Sequence, residues 1–176
     1  YIRAIISAES GQIVSLIEKS TQQEIVNGAI NRLQIFRDES GYWDAWNIAE
    51  DYAEHPCQAP KLQSIQLMES GPIRQRLRTQ YQFNQSVIIQ DYVLETDSPT
   101  LTVKNTIDWQ ETHKLLKVNF PVTISAKEAT YEMPFGAITR ATQPQTKAEK
   151  AKWEIPTLRW VDLSNDRYGL SILTKG

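Results

Sequence analysis

One cysteine and two histidines are all that 176 residues contain of the most metal-prone side chains. With Cys57 alone, no intrachain disulfide can form and a cluster of thiolates around a metal is excluded. A lone thiol also favours a reducing compartment. Neither sign of charge dominates: 19 basic against 21 acidic residues leave a net charge of −2, with a pI near 5.8. That balance gives no electrostatic reason to expect nucleic acid or an anionic membrane as a partner. No apolar run approaches the roughly 18 residues of a membrane-spanning helix, so no membrane segment is expected. The opening YIRAIISAES has no charged head followed by a long apolar stretch and does not read as a signal peptide. It also carries no initiator Met, so the chain is expected to come from a longer polypeptide, with a length suited to one domain.

A helical period is missing from every long segment. The dominant pattern instead alternates with period two, as strands do. In PIRQRLRTQYQF, Ile73, Leu77, Tyr81 and Phe83 share one face, and Arg74, Arg76 and Arg78 share the other with Gln80 and Gln82. LTVKNTIDWQ places Leu101, Val103, Ile107 and Trp109 together, and LLKVNFPV does the same for Leu116, Val118, Phe120 and Val122. SVIIQDYVLE is apolar on both faces and reads as a central, covered strand. Turn residues punctuate these runs at Ser10-Gly11, Ser70-Gly71-Pro72, Asp97-Ser98-Pro99 and Asn165-Asp166. Short helical turns are expected only in AWNIAEDYAEH and TKAEKAKWE. The pattern predicts an all-β fold, a large antiparallel β-sandwich. Two irregular stretches, about residues 40–61 and 141–156, interrupt it, and long loops of this kind often carry function.

No catalytic signature is present: there is no G-x-S-x-G, no glycine-rich phosphate loop and no H-E-x-x-H. His55 and His113 read as surface imidazoles, because a metal site needs three or four convergent ligands. Asp38, Glu39, Asp44, Asp162 and Asp166 are the loop carboxylates from which a glycosidase pair would be drawn. Their alternative role is capping turns. The arginine stripe reads as a solvated face paired with a neighbouring acidic strand. Aromatic surface is concentrated in two places. Trp43 and Trp46 flank Asp44 in GYWDAWNIAEDYAEHPC, and Trp153, Trp160 and Tyr168 cluster towards the C-terminus. Such rings either fill a core edge or stack on the apolar face of a sugar. The first of these is expected for Trp43 and Trp46, with Asp44 capping the turn between them.

Four stretches together resemble a known family. NRLQIFRDESGYWDAW is similar to an asparagine-led strand followed by a Trp-Asp-Ala-Trp element of glycoside hydrolase family 38, the α-mannosidases. The run from GPIRQRLRTQ to LLKVNFPV resembles that family's Gly-Pro through Asp-Trp and Leu-Leu-Lys-Val elements. ATYEMPFGAITRATQPQT matches its tyrosine-to-Phe-Gly strand with the arginine that follows, Arg140. KWEIPTLRWVDLSNDRYGLSILTKG resembles its Arg-Trp-x-Asp-Leu-Ser element and the Gly-Leu strand beyond. The order and spacing agree along nearly the whole chain, and the Trp-Asp-Ala-Trp form looks closest to the cytosolic and vacuolar branch.

The resemblance implies that residues 1–176 form a single β-sandwich domain, like the galactose mutarotase supersandwich, of an enzyme whose catalytic barrel lies upstream. It implies a retaining hydrolase of terminal α-linked mannose, acting in mannose and oligosaccharide catabolism in the cytoplasm. The catalytic aspartate, the acid catalyst and a divalent metal, zinc in most members, would lie in the N-terminal catalytic domain, with none bound by this chain. The domain's partners would then be that N-terminal domain and α-mannoside carbohydrate, with assembly into oligomers open. Trp43, Asp44, Trp46, Arg140 and Trp160 are the residues placed as candidates for touching the substrate. Two other classes stay in view: a stand-alone carbohydrate-binding module, and a mutarotase-like sugar epimerase using His113 with Glu111 or Glu128.

Overall fold

A computed structural model describes residues 1–39, 41, 43 and 46–174. It is nearly all β, with every paired strand antiparallel, as the alternating pattern predicts. The chain divides into two compact units, residues 1–122 and 123–176.

The first unit contains β1 (Ile2–Ile6), β2 (Ile13–Glu18), β3 (Gln23–Glu24), β4 (Arg32–Arg37), β5 (Lys61–Ser70), β6 (Arg74–Phe83), β7 (Ser86–Glu95), β8 (Leu101–Asp108) and β9 (Lys114–Asn119). These form a three-stranded sheet β1-β2-β3, a two-stranded sheet β4-β9 and a four-stranded sheet β5-β6-β7-β8. The expected hairpins form at Ser10-Gly11, around Gly71-Pro72 and at Asp97-Ser98-Pro99. β7 is the covered inner strand its composition predicts, with Ile88 fully buried and Tyr92 and Val93 nearly so. Its neighbour β6 buries Thr79, Tyr81 and Phe83 on one face, while Gln80 and Gln82 stay partly exposed. Ile73 departs from the expected face and is 78% exposed, because it precedes the strand within the turn. Ile107 is also exposed, since β8 is a sheet edge.

The inner face of the four-stranded sheet packs on the other two sheets. Leu33 of β4, Tyr81 of β6 and Ile88 of β7 form a buried cluster, closed by Leu62, Trp109 and Leu116. Phe83 and Trp109 stack nearly parallel, 6.5 Å between centroids. Beside these apolar contacts runs a buried polar network. Asn31 donates through Nδ2 to the Tyr92 hydroxyl at 2.7 Å and to Gln90 Oε1 at 3.1 Å. The Tyr92 hydroxyl donates to the Gly11 carbonyl at 2.8 Å, and the Tyr81 hydroxyl to the Ser10 carbonyl at 3.1 Å. Gln90, fully buried, passes its own amide to Asn105 of β8 at 2.8 Å. Burial pushes both phenols upward, Tyr92 more strongly, so both remain neutral donors. The β1–β2 turn is thereby fastened to the two inner strands. Gly11 suits this place twice over: its φ is +69°, and a Cβ there would collide with the Tyr81 hydroxyl.

The outer face of β6 carries the arginine stripe, and every arginine meets a carboxylate. Arg78 makes two parallel bonds of 2.8 Å to Asp91, directly opposite on β7. Arg76 Nε lies 2.9 Å from Glu69 and Arg74 Nε 2.6 Å from the same residue.

The second unit is a four-stranded sheet in the order β11-β10-β12-β13, from β10 (Glu128–Met133), β11 (Gly136–Ala141), β12 (Trp160–Ser164) and β13 (Gly169–Leu173). A single helical turn, α1 (Lys147–Lys150), starts with a reciprocal capping box between Thr146 and Glu149, the turn expected of TKAEKAKWE. Glu132 of β10 is buried and takes the Arg159 guanidinium through both oxygens and the Arg159 backbone N–H at 2.8 Å. That pairing ties the entry of β12 to β10.

The network yields a stability test. Tyr92→Phe leaves the Asn31 amide and the Gly11 carbonyl short of a partner in a buried site. It should cost about 1–3 kcal/mol, the usual range for an orphaned buried polar group. A urea midpoint equal to that of the parent protein would show that the hydroxyl carries no such role.

Candidate functional site

The irregular stretch after β4 is built around that strand. Ile35 and Phe36 are both buried although they point to opposite faces of β4, so something must cover each side. The cover on the Phe36 side is the loop itself. Tyr52, in a 3-10 turn over Tyr52–Glu54, meets Phe36 edge-on, 5.2 Å between centroids and 85° between planes. Lys117 of β9 sits over the Tyr52 ring at 4.4 Å and donates to its hydroxyl at 2.6 Å. Residues 55–57 then run beside β4, with Arg37 N–H bonded to the His55 carbonyl and Cys57 N–H to the Ile35 carbonyl. Asp38 accepts the Ala49 N–H at 2.8 Å and closes the base of the loop.

Trp43 and Trp46 lie in the segment between these ties. The Trp46 and Asn47 N–H groups both bond to the Trp43 carbonyl. The rings are 74% and 87% exposed, so they do not anchor the loop as expected from the sequence. The anchor is Tyr52 with Phe36. Its signal in the sequence was the adjacent apolar pair Ile35-Phe36, which breaks the alternation of a one-faced strand and demands a cover on the second side. Asp44 lies outside the described residues. Trp43 also has a left-handed backbone, φ 63°, which bulky residues rarely adopt. Two large rings presented on a pinned turn form a surface suited to stacking against an apolar sugar face or a partner's apolar surface.

The other two substrate candidates belong to the second unit. Arg140 is on β11 opposite Ala129 of β10, and its Nε is buried with no hydrogen-bond partner. Trp160 opens β12, half-buried and paired with Leu173. Val161 pairs with Tyr131, which shares a face with Ala129, so Arg140 and Trp160 lie on opposite faces of the sheet.

Several of the acid-base groups are committed to structure. Every carboxylate with a resolved shift is held low, whereas a general acid needs to be raised. Hydrogen bonds from Ser20 and Thr21 take Glu18 to about 2. Asn84 and Ser86 lower Glu111. Arg78 lowers Asp91 and Arg159 lowers Glu132. Burial pushes Glu24 up, but bonds from Ser15, Leu16 and Val26 outweigh it. Asp162 accepts the hydroxyls of Ser164 and Ser171 at 2.7 and 2.6 Å. His55 bridges Asp51, 3.1 Å away, and Arg37. His113 is an exposed turn residue with φ 52° whose carbonyl accepts the Asp38 N–H. Glu111, its proposed epimerase partner, is occupied by Asn84 and Ser86. Among the described residues no three His, Cys, Asp or Glu side chains come together as a metal site.

Two measurements follow. Trp43→Ala and Trp46→Ala should each change stability by no more than about 0.5 kcal/mol, as exposed positions do, whereas Phe36→Ala should cost about 3–5 kcal/mol. Denaturant midpoints of the three variants decide this; a large loss at either tryptophan would mean its ring is buried. The second concerns acid. Asp91 and Glu132 titrate lower in the folded chain than in the unfolded one. The stability they add is therefore complete above the ordinary carboxylate range and lost as pH falls through their folded values. Unfolding free energy followed below about pH 5 should fall more gently in Asp91→Asn than in the parent, and equal slopes would show that the Arg78 pair contributes nothing.

A model of the glycosyl hydrolases family 38 C-terminal domain matches residues 1–176. Alpha-mannosidase G of Dictyostelium discoideum is 33% identical over 178 residues, covering 97% of this chain and 16% of that protein. Alpha-mannosidase 2C1 of Homo sapiens is 32% identical over 170 residues, covering 93% of this chain and 16% of its own length. An alpha-mannosidase of Saccharomyces cerevisiae is 26% identical over 192 residues. The chain thus spans about a sixth of the curated relatives it matches, 16–17% of their length. With the alternating strands, the exposed Trp turn and the family match covering the same residues, the chain belongs to the glycosyl hydrolase family 38 C-terminal domain family.

Proposed function

We propose that this chain is the C-terminal β domain of an α-mannosidase that hydrolyses terminal α-linked mannose, and that it supports and partly walls an active site held by an N-terminal catalytic domain. The observation that carries this reading is the family match along the whole chain, shared with relatives named as α-mannosidases. Retaining hydrolysis needs two carboxyl groups about 5–5.5 Å apart, one raised in pKa to protonate the leaving oxygen and one ionised to attack. Glu18, Glu24, Asp91, Glu111 and Glu132 are held low by structural partners, which fits a supporting role. The divalent metal, zinc in this reading, belongs with the catalytic domain. No three His, Cys, Asp or Glu side chains among the described residues come together to fit a metal.

Within this role the exposed Trp43 and Trp46 are the part of the chain best suited to meet carbohydrate, and Asp44, Arg140 and Trp160 are further candidates for that wall. Work in the cytoplasm fits the single free cysteine. The second reading, a carbohydrate-binding module, draws on the same two exposed rings. Release of nitrophenol from an aryl α-mannoside distinguishes the two. The natural polypeptide should turn this substrate over, a chelator should abolish turnover, and residues 1–176 alone should give none with or without zinc. Turnover by residues 1–176, lost on changing Asp162, would overturn the supporting role. Mannose binding by residues 1–176 without turnover would favour the binding module.

A further inference from the structure

Two bulky aromatic residues of the described chain have a left-handed backbone: Trp43 and Phe135. Asn31, Asn84, Asp97 and His113 share that conformation, but their types accept it readily. Phe135 is the sharper case. It occupies the two-residue turn between β10 and β11, after Pro134 and before Gly136, with φ 68°. Its ring is 110% exposed, so no contact within the described chain repays either the strained backbone or the hydration of the ring. Glycine or asparagine would serve this turn better if the turn were its whole purpose.

The strand behind the turn is equally bare. β11 is the edge of its sheet, and residues 136–139 and Ala141 are exposed. Ile138 shares a face of β11 with Arg140, and Arg140 carries the buried Nε that no acceptor meets. An exposed strained ring, an unpaired strand edge and a guanidinium Nε without an acceptor thus lie along one element.

We propose that the β10–β11 hairpin docks against the rest of its own α-mannosidase polypeptide. Phe135 fills an apolar pocket there, and a carboxylate roughly 17 Å along the strand meets Arg140. This rests on the function proposed above, in which residues 1–176 are one domain of a longer chain. A protein pocket suits the hairpin better than a sugar. A sugar site needs several convergent polar groups, and Pro134, Gly136, Ala137 and Ile138 offer no polar side chain. The free edge of β11 supplies backbone donors and acceptors for an added strand instead.

The test uses the natural polypeptide and Phe135→Asn. Asparagine accepts a left-handed backbone, so a hairpin tip in solvent should be unharmed or stabilised by the change, whereas a docked ring should be missed. The expected result is a lowered thermal midpoint in Phe135→Asn. Amides of residues 134–141 should exchange slowly in the parent and at least about tenfold faster in the variant. Fast exchange at 134–141 in the parent, or an unchanged or raised midpoint in the variant, overturns the proposal. So does a parent that is a dimer by mass and a variant that is a monomer, since the occupant is then a second copy. A polypeptide that protects the hairpin yet leaves aryl α-mannosides intact contradicts the proposed activity and leaves the docking in place.

Discussion

The Tyr92 hydroxyl is the contact on which the first unit turns. It accepts from Asn31 and donates to the Gly11 carbonyl, so one buried oxygen joins an inner strand, the approach to β4 and the tip of the β1–β2 hairpin. In a low-dielectric interior each bond missing from such a network costs more than each bond made contributes. The surrounding choices follow from that constraint. Asn31 takes a left-handed backbone, Gly11 gives up its Cβ, and Gln90 extends the network to β8. Apolar burial around Leu33, Tyr81 and Ile88 supplies driving force, and the polar bonds fix which hairpin lies on which strand.

Period-two alternation and turn chemistry were enough to read the class, the antiparallel pairing and the inner position of β7. They read local facts, and a strand face is local. The ion-paired arginine stripe was legible for the same reason, because a run of arginines on one face needs acidic neighbours across the ladder. The polar network was not legible. Its members, Asn31, Gln90, Tyr92 and Gly11, are far apart in sequence, and each alone reads as a turn or a strand residue. Trp43 and Trp46 depart from the expectation that large rings are buried. The deciding signal lay in β4, where Ile35 and Phe36 together call for a cover that Tyr52 provides. Of the substrate candidates, Trp43 and Trp46 share one turn, whereas Arg140 and Trp160 face away from each other. Sequence cannot foresee that separation, because it depends on the intervening register of β10.

A chain that belongs to a hydrolase family and yet holds several carboxylates low has a consistent physical reading. Glu111, Glu132 and Asp91 are each held as anions by donors that fix a turn or a strand entry. Groups held this way define shape and do not exchange protons near neutrality. Among the described residues the most exposed aromatic side chains are Trp43 and Trp46 on one unit and Phe135 on the other. Rigid sheets that spend their polar chemistry internally and expose a few rings on pinned turns are suited to forming walls and joints.

The β1–β2 hairpin and the inner strands of the first unit stand or fall together through the Tyr92 network. Native-state hydrogen exchange measured against denaturant tests it most directly. Amides of β1 and β2 should open with the same free energy as those of β6 and β7, as one cooperative unit. A hairpin that opens at much lower free energy while β6 and β7 stay protected would contradict it.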